Sequence, residues 1–280
     1  MPDESLVAKL KSEVAAGRVV VIAGTGVSVA ASGNPLVDGH QVATWTGLLE
    51  HGVAYGLCRG LLDDFDTKFL PMQIASARVD YMVKAAETLA ERLSVGGGSA
   101  YLDWLADSVG VLKVTDPAVP QAVAALGGLL ATLNYDGLLE EVTGWPAVTW
   151  QQRDAVQQVL RREAKGVLHL HGWWQSPETV VLGLRSYDQV RDDEHANGVR
   201  QLLAMGQTMV FIGCNSTLSD PNFTALIDWC KSALAGVRAH HFVLCCQAEL
   251  AGVRAMLDGA PWFQPVVYGE SYGGLAPFLR

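Results

Sequence analysis

The run Arg-Val-Val-Val-Ile-Ala at 18–23, followed at once by Gly24-Thr25-Gly26, constrains this chain more than any other feature. Four β-branched residues in a row lose χ1 freedom in a helix and pack well on a pleated surface. The run does not alternate with polar residues, so it reads as a strand buried on both faces, the kind found in parallel sheets. A strand that runs into glycines and then into a helix is the opening unit of a doubly wound α/β sheet that binds nucleotides at its carboxyl edge.

The rest of the chain supplies matching parts. Short apolar runs at 128–133, 147–150, 167–170, 208–212, 241–245 and 265–268 read as further buried strands. Amphipathic stretches separate several of them, which predicts a Rossmann-like, mostly parallel sheet with helices on both faces. Leu6, Val7, Leu10 and Val14 follow helical spacing, with Asp3 or Glu4 as a cap and Gly17 as the stop. Between about 45 and 107 no strand pattern appears. Arg78, Met82, Ala85 and Leu89 recur at helical spacing there, as do Tyr81, Leu89 and Leu93. The expectation is one domain over 1–280 with a helical insert at about 36–110, jointed at Gly96-Gly97-Gly98-Ser99.

Composition narrows the function classes. With 280 residues, half of them hydrophobic and 18% charged, the chain can bury a sizeable core. A formal net charge of -9 gives no phosphate-neutralising term, so direct nucleic-acid binding is not expected. No stretch has the length of a membrane span, and the acidic N-terminal segment lacks the basic and apolar regions of a signal peptide. Cys58, Cys214, Cys230, Cys245 and Cys246 are odd in number and irregular in spacing. That argues against a disulfide framework and for a reducing, cytoplasmic setting. It also supplies no Cys-x-x-Cys hooks, so no metal and no zinc module are expected.

Four segments carry residues suited to chemistry. Gly24-Thr25-Gly26-Val27-Ser28 places backbone amides and a helix N-terminus where a phosphate could approach, although a third fingerprint glycine is missing at Val29. Taken alone it reads equally as a tight strand-to-helix turn. Thr132-Leu133-Asn134-Tyr135-Asp136-Gly137 ends a strand with an amide and a carboxylate two residues apart, either of which could instead cap the next helix. In Leu168-His169-Leu170-His171-Gly172, His171 is the candidate base and His169 reads better as a structural ring. Phe211-Ile212-Gly213-Cys214-Asn215-Ser216 again ends a strand in small polar residues. A helix start at Asp220-Pro221 follows it.

Taken together, the order and spacing of these segments resemble the sirtuin superfamily. GTGVSVAASGNP looks like that family's glycine-rich NAD loop, LNYDGLL its Asn-x-Asp segment, LHLHG its His-Gly, and FIGCNS its ribose loop. The departures matter as much. The four zinc cysteines of deacylating members are missing, Leu36-Val37-Asp38 stands where Asp-Phe-Arg is usual, and Leu133 replaces a Gln. HGWWQSPETVVLGLRSYDQV and GCNSTLSDPNF look instead like the zinc-free, bacterial antiphage-defence type.

The resemblance implies a sirtuin-like NAD hydrolase that cleaves the nicotinamide-ribose bond to give nicotinamide and ADP-ribose. It implies Asn134 and His171 as the catalytic pair. It implies Ala23, Gly24, Thr25, Gly26, Ser28, Asn134, Asp136, Gly213, Cys214, Asn215 and Ser216 as the NAD shell. Relatives of this type form homo-oligomers, and some act with a HerA-type ATPase or with a fused or associated sensor. Two other readings stay open on sequence: an NAD-dependent deacylase or ADP-ribosyltransferase, and a non-catalytic NAD or ADP-ribose sensor or filament-forming scaffold.

Overall fold

A computed structural model describes residues 4–95, 97–214 and 240–280, with Thr224, Leu226, Ile227 and Cys230. Helix α1 (Glu4–Ala15) ends at Gly17, whose φ of 64° places it in the left-handed region. Strand β1 (Val19–Ala23) follows, and helix α2 (Thr25–Ser32) begins directly after Gly24. The chain then makes α3 (Trp45–Cys58), α4 (Asp66–Ala75), α5 (Val79–Leu93), α6 (Ser99–Asp107) and α7 (Ala118–Ala125) before returning to the sheet at β2 (Leu129–Thr132). It continues through α8 (Leu138–Thr143), β3 (Ala147–Thr149), α9 (Arg153–Leu160), β4 (Val167–His169), α10 (Leu184–Asp192), α11 (Glu194–Gly206) and β5 (Thr208–Ile212). After β6 (His241–Cys245) come α12 (Leu250–Met256), β7 (Phe263–Val267) and α13 (Leu275–Leu279).

The seven strands form one sheet in the order β3-β4-β2-β1-β5-β6-β7, and every pairing is parallel. The alternation of side chains along β1 sorts them onto two faces. Val20 and Ile22 join a core with Val156 and Val159 of α9, Val199 and Leu203 of α11, and Val253 of α12. Val19, Val21 and Ala23 join another with Leu10 of α1, Val27 of α2, Val123 of α7 and Leu275 of α13. The fold is therefore a Rossmann-like α/β sheet covered on both faces, as the sequence pattern predicts.

Helices α3–α6 build a third core around Leu48, Leu49, Leu89, Leu93, Trp104 and Leu105. Each such aliphatic side chain contributes about 1.5–3 kcal/mol by leaving water. Arg92 of α5 clamps the buried Asp66 of α4 at 2.7 Å, tying two of these helices together. The core also takes in Ala31, Tyr135 and Leu138, so the helices sit over the loops that leave β1 and β2. Three sequence expectations shift. Tyr81 is an exposed residue of α5, under Arg78 and Lys84, and is not part of its buried stripe. Strand β7 starts two residues earlier than its apolar run and contains Pro265, which an edge strand tolerates because only one side must donate. Strand β4 ends at His169, so His171 lies in the turn beyond it.

Candidate active site

Because all strands are parallel, the segments after β1, β2, β4 and β5 emerge at one carboxyl edge. Strand β1 is central, and the chain crosses from its β2 side to its β5 side, which makes this edge the topological switch point. A cavity of about 560 Å³ opens there between the strand ends and the helices α3 and α5. That volume lies within the ordinary range for small-molecule sites.

Asn134, Asp136 and His171 all line it, together with Thr25 at the start of α2. The opposite wall is largely apolar, with Trp45, Leu48, Met82 and Val109, and Tyr187 of α10 closes one side. The His171 and Tyr187 rings meet edge to face at 6.0 Å. Ala77, between α4 and α5, lines the cavity with a φ of 54°, a left-handed conformation that costs an alanine about 1–2 kcal/mol.

A chain of hydrogen bonds fixes the polar side. The Asn134 amide nitrogen donates to the Gly24 carbonyl at 2.8 Å and to Ser28 Oγ at 2.7 Å. A carbonyl can only accept, so this nitrogen and oxygen cannot be interchanged. Ser28 Oγ then donates to Asp136 Oδ2 at 2.6 Å. The other Asp136 oxygen accepts from the Leu138 amide at 3.1 Å, so Asp136 also caps α8. Both carboxylate oxygens accept, which favours the ionised form. Burial opposes this and pushes the Asp136 carboxyl above the ordinary carboxylate range, with the Ser28 bond working the other way. Asn134 Oδ1 is buried and has no hydrogen-bond partner among the described residues.

His171 is placed by its backbone. Its carbonyl accepts from Val181 N at 2.8 Å, and Gly172 follows with φ 86°. A Cβ on Gly172 would lie 2.2 Å from the Thr179 carbonyl, so only glycine fits this turn. His169 is fully buried, 2.6 Å from Glu140 Oε1.

The glycine turn packs closely against the loop that follows β5. Gly24 N donates to the Ile212 carbonyl, Gly26 N to the Gly213 carbonyl and Val27 N to the Gly24 carbonyl, each at 2.9 Å. These three amides are committed to protein acceptors. A Cβ on Gly26 would lie 2.8 Å from Gly213 Cα, so the small residues let the β1 and β5 loops touch. Of residues 24–28, Thr25 is the one that lines the cavity.

The other expected residues divide clearly. Ala23 is buried at the end of β1, and its carbonyl accepts from the Leu133 amide and the Thr132 hydroxyl. Ser28 stands behind Asn134 and Asp136 rather than on the cavity wall. Cys214 is buried against Ile22, its thiol pushed up to about 12 by burial, so it supports the turn and offers no nucleophile. Asn215, Ser216 and the helix start at Asp220-Pro221 lie outside the described residues.

Trp45, Met82 and Tyr187 carry the wall that the sequence reading missed. They come from helices, where nothing local tells which face meets a strand end. Among the described residues no group of three or more His, Cys, Asp or Glu is placed to hold a metal ion. No helix among them is long and apolar enough to cross a membrane.

Residues 128–256 match the family model of the SIR2-like domain. This sirtuin-like stretch contains the segments after β2 and β4, and with them Asn134, Asp136 and His171. It also contains β5 and Gly213 but starts beyond the Gly24–Gly26 turn, whose place beside Gly213 rests on the geometry above. SIR2-like domains use NAD, and the match is consistent with NAD-dependent activity.

Proposed function

We propose that this protein is an NAD hydrolase that splits the nicotinamide-ribose bond of NAD with water, releasing nicotinamide and ADP-ribose. The observation that carries the reading is Asn134. Its amide nitrogen is anchored by Gly24 and Ser28, while its oxygen is buried without a partner among the described residues. An unpartnered buried acceptor costs about 1–3 kcal/mol, and a hydroxyl or water at the reacting ribose would satisfy it.

The chemistry suits the wall. The leaving nicotinamide is a pyridinium that departs as a neutral ring, so no acid has to protonate it. Positive charge builds up on the ribose instead, as an oxocarbenium-like transition state, and pre-organised dipoles and charge nearby lower its energy. Asp136 supplies a carboxylate held by Ser28 and Leu138, and Asn134 orients the ribose and the attacking water. His171 accepts the proton that this water gives up. The apolar wall of Leu48, Met82 and Val109 keeps bulk water away, which strengthens these interactions. One domain with a helical insert between α2 and β2 would then supply both walls of the pocket.

The zinc-free resemblance extends the proposal to antiphage defence in the cytoplasm, with a HerA-type ATPase or a sensor as candidate partner. It also extends to self-association. Phe65, Phe69 and Met72 expose an apolar face along α4, at 62%, 43% and 66% exposure. Light scattering tests the last point: an oligomer is expected, and a fully active monomer contradicts it. For the reaction, NAD is incubated with the protein at several concentrations and the products are read by mass spectrometry. Nicotinamide and ADP-ribose are the expected products. Intact NAD at every concentration overturns the hydrolase reading in favour of a sensor, and acetyl transfer from an added acetyl-lysine peptide to ADP-ribose overturns it in favour of a deacylase.

A further inference from the structure

The buried His169 and the half-buried Glu140 join the loops that carry Asn134 and His171. His169 Nδ1 lies 3.2 Å from the Asn134 carbonyl and 3.2 Å from the Gly172 carbonyl. Both oxygens can only accept, so Nδ1 carries a hydrogen shared between them. On the other side of the ring, Nε2 lies 2.6 Å from Glu140 Oε1. A contact that short between two acceptors requires a proton in between, so the ring is held from behind by a short hydrogen bond. The same two loops are stitched a second time, where Trp174 N donates to the Tyr135 carbonyl at 3.0 Å.

Stability alone does not account for this pair. The His169 side chain is wholly buried and that of Glu140 is 14% exposed, and Glu140 Oε2 has no partner among the described residues. A buried acid-base pair is often no better for stability than an apolar pair of similar volume. An apolar pair, however, could not hold two carbonyls from two loops at one point.

The geometry points to His169 and Glu140 as positioning residues. They tie the Asn134 carbonyl to the carbonyl beside His171 and so set the distance between those two side chains across the cavity. Neither touches the substrate. The inference rests on the NAD-cleaving reading of the same site.

The test compares Glu140→Gln with Glu140→Leu. Glutamine fits the volume and can donate to Nε2, which leaves the Nδ1 hydrogen on the carbonyls. Leucine removes the bond and lets the ring turn. With folding checked by circular dichroism, Glu140→Leu is expected to lower kcat about 100-fold with little change in KM. Glu140→Gln is expected to recover most of that loss. Equal kcat in the wild type and Glu140→Leu overturns the inference, and so does a loss confined to KM or a Glu140→Gln variant no better than Glu140→Leu. A second readout needs no turnover: the nitrogen-15 spectrum of the imidazole groups. A slowly exchanging His169 Nδ1 hydrogen is expected in the wild type and Glu140→Gln and is lost in Glu140→Leu. If wild-type protein releases no nicotinamide, the hydrolase reading fails on its own, and the spectra still decide. An Nδ1 signal identical in all three proteins overturns the tether.

Discussion

Substituting Gly24 by alanine separates two reasons for a glycine at the end of β1. If the residue serves only to let a phosphate approach, Gly24→Ala weakens nucleotide binding and leaves the free protein intact. The structure argues for a cost in the free protein. A Cβ at this position would lie 2.6 Å from the Gly213 carbonyl oxygen, 2.8 Å from Cys214 Sγ and 2.9 Å from Cys214 Cα. Two of those atoms are backbone of the neighbouring loop, and the Gly24 amide is itself bonded to Ile212, so neither side can move away freely. Overpacking against a well-packed wall costs about 1–3 kcal/mol, and backbone neighbours place this case near 3. For a chain of this size that corresponds to a fall in Tm of roughly 6–12 °C. The assay is thermal unfolding followed by calorimetry with no nucleotide present. A variant whose Tm stays within about 2 °C of wild type, with only nucleotide affinity lost, would refute the packing argument.

Two further substitutions test the electrostatics. Burial raises the Asp136 carboxyl, so its ionised form costs the fold stability at neutral pH, and that cost disappears as pH falls through the raised value. Wild-type Tm should therefore fall relative to that of Asp136→Asn as pH rises toward 8, while turnover of the variant collapses; a difference in Tm that does not change with pH contradicts the sign. His241 is the opposite case. Burial lowers its pKa from 6.5 to about 4, a difference worth about 3 kcal/mol, and its Nδ1 accepts from the Met209 amide. The stability it contributes is present above pH 6.5 and is lost as pH falls toward 4, so His241→Asn, which keeps an acceptor, should flatten denaturant-measured stability over that interval. Parallel pH profiles for the two proteins would count against it.

How much of this was legible in the sequence follows from where each signal is stored. Strands buried on both faces announce themselves, which is why 208–212 and 241–245 were read with the bounds they have as β5 and β6. Asn134, Asp136 and His171 stand just past strand ends, and in a parallel sheet that alone brings them to one edge. The glycines were legible as necessary, but the loop they pack against was not. A phosphate and a neighbouring loop make the same demand for a missing Cβ, and the loop that touches Gly24 and Gly26 lies almost 190 residues downstream at Gly213. Glu140 sits in a short helix, LLEEVT, and nothing in its local sequence marks it out. Only the return of β4 beside β2 turns it inward onto His169. Trp45, Met82 and Tyr187 were illegible as cavity residues for a related reason: helical periodicity gives a buried face but not what that face meets.

The most direct test of the central claim measures NAD binding and nicotinamide release side by side in the wild type, Asn134→Ala and His171→Ala. Thr25 and the start of α2 remain in both variants, so the account predicts near wild-type binding by calorimetry. It also predicts that nicotinamide release collapses in both, and that His171→Gln does not restore it, because an amide cannot take up the proton. Near wild-type release from both alanine variants would contradict the assignment of the active site and leave the sirtuin-like match as a likeness of fold alone.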